Sequence, residues 1–359
     1  MARGCHGSAH CAGRLGHDVA QCGRGAGTTP QGISGGRVSG TGATRYAPEW
    51  LALREGPDAA ARASGLLGPL RRHLEAAAGG PGGAEPTPGL ATSVIRDLGC
   101  GTGSMGRWLA PRLNGPQHWI LHDHDPGLLD LAAARTPERA ADGSPVTVTT
   151  ERGDVARLTA NVLSGTSLVT ASALLDLLTR EELNGLAAAC AGAGCPALLS
   201  LSVVGRVHLT PADPLDAEIV HAFNAHQRRV DQGRRLLGPD AVAAASEAFA
   251  RHGLTVREQP SPWRLGSGPR SLPCDGSRRT REVDPYGSGS RDLGTCESAL
   301  TAEWLRGWVG AARDQRPDLA QRADAYLRRR LAECWAGELQ VVVHHKDVLA
   351  LPGPTGGSS

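Results

Sequence analysis

Lysine is almost missing from this chain. Lys346 is the only one among 38 basic residues, and 36 acidic residues leave a formal net charge of +2. So one-sided a use of arginine points to coding bias, and arginine clusters lose their weight as signals. The near-balanced charge gives no electrostatic case for nucleic acid or a membrane surface as partner. Aromatic residues make up only 3% of the chain. The nine cysteines include no CxxC pair, and their odd count and irregular spacing argue against a secreted disulfide framework. No uninterrupted run of about 18 apolar residues suggests a membrane-spanning helix. No apolar run of signal-peptide type opens the chain either. These absences predict a cytoplasmic protein with no membrane partner.

Residues 1–45 are rich in Gly, Ser, Thr and Arg without helical or strand periodicity, which predicts a disordered extension. Asp18 is their only acid, which permits a transit-peptide reading, although an apolar stripe is missing; a mis-assigned start codon is equally open. Cys5, His6, His10 and Cys11 fit no standard zinc spacing, so no metal is expected. Residues 46–89 read as a helical cap and linker. Trp50, Leu51 and Leu53, then Leu66, Leu67, Leu70 and Leu74, have helix-compatible spacing, and Gly56-Pro57 and Gly68-Pro69 are expected to break the stretch into short helices.

From residue 90 to 265 strands and helices alternate. Strands are predicted at 94–98, from 119, at 146–149, 167–170, 197–201 and 254–257. A helix covers 104–113. Asp125-Pro126 caps the next one, and Thr179 with Glu182 forms a capping box for a third. Helices dominate 213–252 and end at Gly253. Residues 266–298 lack periodicity and read as an irregular insertion. Residues 299–352 complete the core, with Leu300, Trp304, Leu305, Trp308 and Val309 on one helical face and a last strand at 339–343. Repeated βα units imply an α/β fold with a mostly parallel sheet and helices on both faces, whose ligands bind at the carboxyl ends of the strands.

Asp97-Leu98-Gly99-Cys100-Gly101-Thr102-Gly103 stands directly between the first strand and the first helix. Glycine lets a ligand approach the backbone, and the helix N-terminus adds free N–H groups and partial positive charge. The stretch resembles motif I of the class I S-adenosylmethionine-dependent methyltransferases, D/E-x-G-x-G-x-G. Asp123 ends the second strand 20 positions after Gly103 (123 − 103), where that family carries an acid that accepts both ribose hydroxyls. Gly153-Asp154 ends the third strand, where the family acid meets the adenine amino group. Thr170-Ala171-Ser172 ends the fourth, where main-chain carbonyls approach the methionine end.

The resemblance covers roughly residues 90–205. It implies a Rossmann-like, seven-stranded, mostly parallel sheet with one antiparallel strand. It also implies S-adenosylmethionine as cofactor, bound by Asp97, Gly99, Cys100, Gly101, Gly103, Asp123, His124, Asp154, Val155 and Thr170. The chain departs from the family by placing an insertion and helices between its last two strands, where the family has a short hairpin. It also lacks the Asp/Asn-Pro-Pro-aromatic motif of DNA amino-methylases and the Pro-Cys of cytosine-C5 enzymes. Both absences point to O-, N- or C-methylation of a small molecule.

Other readings stand beside this one. Gly101-Thr102-Gly103-Ser104-Met105-Gly106 also matches G-x-G-x-x-G, so an NAD(P)-dependent Rossmann oxidoreductase is an alternative. A Tyr-x-x-x-Lys pair cannot exist, because Val342 stands four before the only lysine. A non-catalytic S-adenosylmethionine-binding protein is a further alternative. For a catalytic base the sequence offers His208, His221, His226 and Asp176, each of which could equally be a solvated or structural polar residue. Cys100 reads as a small filler in the loop.

Overall fold

The computed structural model describes residues 47–78, 92–155, 158–266 and 293–353. The predicted disorder of 1–45, the Cys5/His6/His10/Cys11 group, most of the linker and most of the 266–298 insertion lie outside the described residues. The last residues of that insertion belong to a helix, α8 (Leu293–Gln315).

Helix α1 (Pro48–Ala61) runs straight through Gly56-Pro57, contrary to the expected break. Pro57 removes one backbone donor, but the next residue ties the helix down. Asp58 takes Arg54 Nε at 2.9 Å and Trp263 Nε1 at 2.9 Å, and such tertiary contacts override local propensity. The real interruption comes at 62–66. Pro69 falls in the first turn of α2 (Leu67–Ala78), where its missing N–H costs nothing.

The α/β alternation follows the sequence pattern. It runs β1 (Ser93–Leu98), α3 (Ser104–Leu109), β2 (Gln117–Asp123), α4 (Pro126–Arg135), β3 (Val146–Arg152), β4 (Leu168–Ser172), α5 (Arg180–Gly192) and β5 (Ala197–Thr210). The Asp125 side chain caps α4 through Gly127 N, and Thr179 and Glu182 form the expected reciprocal capping box on α5. Next come α6 (Asp216–Gln227), a hairpin of β6 (Val230–Asp231) and β7 (Arg234–Arg235), and α7 (Ala241–Arg251). The hairpin was not foreseen within the helical stretch. The chain closes with β8 (Thr255–Pro260), β9 (Trp263–Leu265), α8, α9 (Ala320–Trp335) and β10 (Gln340–Leu351).

The sheet order is β3-β2-β1-β4-β5-β10-β8, with β9 also on β10. The first five strands are parallel and β10 is antiparallel to its neighbours. β8 and β9 pair with successive halves of β10, so eight strands fill seven positions. Successive strand residues face opposite sides, and the core divides accordingly. Val169, Leu199 and Val348 meet α5 and α7 on one face, while Leu168, Leu198 and Leu349 meet α2, α3 and α4 on the other. A third cluster joins α6, α8 and α9 to β9 and the far ends of β5 and β10.

β5 reaches well beyond the predicted 197–201. Its register on β10 slips at two places, between Val343 and His345 and between Lys346 and Val348. Leu201 and Gly205 adopt positive φ at these bulges. The Leu201 N–H is held by buried Asp347 at 2.7 Å. Bulges of this kind re-aim side chains beside a site. No helix among the described residues is long and apolar enough to cross a membrane.

Candidate active site

The glycine loop is stitched to the end of β2. Cys100 N donates to His122 O at 3.1 Å, and Gly101 N donates to Asp123 Oδ2 at 3.0 Å. Asp125 N donates to Asp123 Oδ1 at 3.0 Å. The Asp123 carboxylate is thus fixed through both oxygens, and each oxygen keeps further accepting capacity. Gly101 has φ +55, and a Cβ there would lie 3.2 Å from Leu51 Cδ1, because α1 folds over the loop.

Asp97 sits beneath this loop, 1% exposed. Thr170 Oγ1 donates to its Oδ1 at 2.7 Å, while its Oδ2 is buried without a partner. Burial raises the Asp97 carboxyl to about 7, against the Thr170 hydrogen bond and the Arg62 charge. Arg62, itself buried, bridges Ser104 Oγ at 3.0 Å and Ser172 Oγ at 3.2 Å. An orphaned buried carboxylate oxygen is costly unless something pairs with it. A cationic hydrogen-bond donor would complete it.

Loop, strand ends and cap enclose a cleft of about 1370 Å³. Asp123, His124, Asp154 and Val155 line it beside β2 and β3. Trp50 and Arg54 of α1, Trp263 of β9, Trp304 of α8 and His345 of β10 line the side toward β5 and β10.

Of the residues expected to hold a cofactor, Asp97, Gly99, Cys100, Gly101, Asp123, His124, Asp154 and Val155 come together on this cleft. Two do not line it. A Cβ on Gly103 would lie 3.1 Å from Ala132 Cβ, so this glycine lets α3 approach α4. Thr170 is fully buried and serves Asp97 from behind; Ser172, Ala173 and Leu174 form that wall.

Among the catalytic candidates Asp176 lines the cleft, and His208, His221 and His226 do not. His208 alternates with cleft-lining Val207, so it points away and meets the His344 ring at 5.0 Å. His221 is on the exposed side of α6, and His226 is near that helix's end. Burial drives the Asp176 carboxyl up to about 6. Burial, with Asp97 and Asp123 nearby, pushes the Cys100 thiol far up, which rules out a ready thiolate.

His345 was missed. It is 5% exposed, and burial together with the Arg54 charge lowers it to about 3. Its place in the cleft depends on how far β10 extends and on the β5 bulges, neither of which leaves a sequence signal. No group of three potential metal ligands occurs among the described residues.

Residues 95–194 match the family model of a methyltransferase domain. Over that segment the chain is similar to methyltransferases. The matched segment holds Asp97, Asp123 and Thr170 on β1, β2 and β4, and Asp154 two residues beyond the end of β3. No curated protein matches the chain. Similar solved structures include the cyclopropane synthase MmaA2 from Mycobacterium tuberculosis, at 11% identity over 79% of this chain and 83% of that one, TM-score 0.35. Geranyl diphosphate C-methyltransferase from Streptomyces coelicolor A3(2) is 13% identical over 81% and 80%, TM-score 0.34. Magnesium protoporphyrin IX methyltransferase from Synechocystis PCC 6803 is 16% identical over 62% and 83%, TM-score 0.34.

Proposed function

We propose that the chain transfers the methyl group of S-adenosylmethionine to a small molecule held in the same cleft. One observation carries this reading: the glycine-loop cradle and a chamber walled in part by aromatic and aliphatic side chains share one cavity. At about 1370 Å³ it exceeds the roughly 300–1,000 Å³ of an ordinary ligand pocket, which gives room for cofactor and acceptor together.

When bound, S-adenosylmethionine supplies a methyl group already activated on a positively charged sulfur. The task left to this chain is holding and aligning, which can lower a barrier by about 7–11 kcal/mol. Asp123, fixed by two backbone donors, offers its remaining lone pairs to the two ribose hydroxyls. The unpartnered Asp97 Oδ2 suits the ammonium of the amino-acid end. Asp154 and Val155 flank the adenine. Asp176, raised to about 6, accepts a proton where the nucleophile arrives protonated.

Calorimetric titration with S-adenosylmethionine, S-adenosylhomocysteine and NAD tests the cofactor assignment. Micromolar binding of the first two and none of NAD is expected; binding of NAD alone would favour an oxidoreductase. Asp123→Ala should weaken S-adenosylmethionine about 10- to 100-fold, the worth of a charged hydrogen bond. Transfer of labelled methyl into a small-molecule extract separates an enzyme from a binding-only protein.

A further inference from the structure

The half of the cleft away from the nucleoside also has a chemistry, and it rests on the methyltransferase reading above. The whole chain contains 7 Trp, 3 Tyr and 2 Phe. Trp50, Phe223, Trp263 and Trp304 line this one cavity. They arrive from α1, α6, β9 and α8, elements far apart in the chain. Two of them are held rigidly. Trp263 donates Nε1 to Asp58 and carries Arg54 over its ring at 4.9 Å. Trp304 stacks on Trp308 at 4.9 Å with 16° between the planes. Val203, Val207 and Val343 fill the wall between them.

Asp176 and Arg229 also line the cleft, and both Arg54 and Arg229 lie close enough to act on the Asp176 carboxyl. Arg54 is bonded to Asp58 through two contacts, at 2.9 and 3.3 Å. His345 stays neutral throughout the physiological range. Its ring lines the cleft and is hydrogen-bonded within the protein to the Val343 backbone, which leaves its other ring nitrogen for a ligand. A neutral imidazole nitrogen donates or accepts according to tautomer, and a hydroxyl can answer either role. Apolar walls strongly disfavour an unpaired charge, while flat aromatic walls favour a ring.

We propose that the methyl acceptor is an uncharged, mostly apolar ring compound bearing a hydroxyl, and that His345 hydrogen-bonds this hydroxyl while Trp263 and Trp304 contact the ring. His345 is then an acceptor-binding residue that orients the ring relative to the cofactor.

The test uses the full chain saturated with S-adenosylhomocysteine, whose own titration is recorded first. Equilibrium dialysis then ranks 2-naphthol, naphthalene, 2-naphthalenesulfonate and 2-naphthylmethylammonium. We expect 2-naphthol to bind about 2- to 10-fold tighter than naphthalene, one neutral hydrogen bond's worth. Both charged probes should bind at least tenfold more weakly than 2-naphthol. His345→Phe should bring 2-naphthol down to the level of naphthalene with the S-adenosylhomocysteine affinity unchanged, and His345→Gln should restore part of the preference. A charged probe that equals 2-naphthol overturns the proposal. So does a protein that binds S-adenosylhomocysteine but none of the four probes, or a folded His345→Phe variant that keeps the hydroxyl preference. Should the variants not fold, the ranking by the unaltered protein decides. Failure to bind S-adenosylhomocysteine would instead strike the methyltransferase reading itself.

Discussion

At the residue scale the sharpest consequence concerns Asp97. Its carboxyl is raised to about 7 by burial; Thr170, Arg62 and Arg107 favour the ion and Asp123 opposes it. Below that pH the free protein holds Asp97 protonated, while a cationic ammonium requires the carboxylate. With the proposed contact of Asp97 to the ammonium, binding of S-adenosylmethionine below pH 7 should expel a proton. Affinity should fall by up to about tenfold per pH unit beneath 7 and level off above it. Calorimetry at pH 6 in two buffers of different ionisation heat would detect the proton released. Asp97→Asn should bind more weakly and lose this pH dependence. Thr170→Val removes the donor at 2.7 Å and should move the midpoint upward. Flat affinity with no proton release would separate Asp97 from the cofactor.

At the element scale two glycines of one motif do different work. Gly101 adjoins the cleft, whereas Gly103, at φ +82, sets the contact of α3 with α4. Alanine at Gly103 adds a left-handed penalty of about 1–2 kcal/mol to a backbone contact at 3.2 Å. Gly103→Ala should lower urea stability by roughly 1–3 kcal/mol and leave the affinity of the folded fraction nearly intact. Gly101→Ala should do more harm to affinity than to stability. The motif was legible because it sits where a strand meets a helix, and the capping residues Asp125 and Thr179 marked the helices that follow. The division of labour between the glycines was not, because it depends on Ala132, a residue distant in sequence. The length of β10, the bulges that place Leu201 and His345, and the helix through Pro57 were hidden for the same reason. Each is decided by contacts between segments, such as Asp347 with Leu201 or Asp58 with Trp263, which local periodicity does not record.

At the scale of the whole molecule, cradle and acceptor chamber rest on different parts of the core. Asp97 and Asp123 stand at the ends of β1 and β2, between the two main clusters. Phe223 and Trp304 belong to the third cluster, around α6, α8 and α9. That cluster is fastened by one buried cation. Arg330, with 1% of its side chain exposed, meets both oxygens of Asp216 at 2.7 and 2.8 Å, Glu333 at 2.7 Å and the Pro211 carbonyl at 2.7 Å. Tyr326 donates to the same Asp216 at 2.6 Å. Removing one partner of a fully buried pair costs about 3–5 kcal/mol. Asp216 keeps 18% of its side chain exposed, so Arg330→Met should cost somewhat less, roughly 2–4 kcal/mol. Arg330→Met combined with Asp216→Leu should recover part of this loss, because the Asp216 charge goes as well, while the partly exposed Glu333 can turn to solvent and Tyr326 loses its acceptor. The single variant should bind 2-naphthol more weakly, since the chamber wall hangs on this cluster. S-adenosylhomocysteine should bind it almost normally, since the cradle does not. Hydrogen exchange should show α6, α8 and α9 opening before β1 and β2. If both affinities fall together instead, the third cluster supports the cradle as well, and the two halves of the cleft form a single cooperative unit.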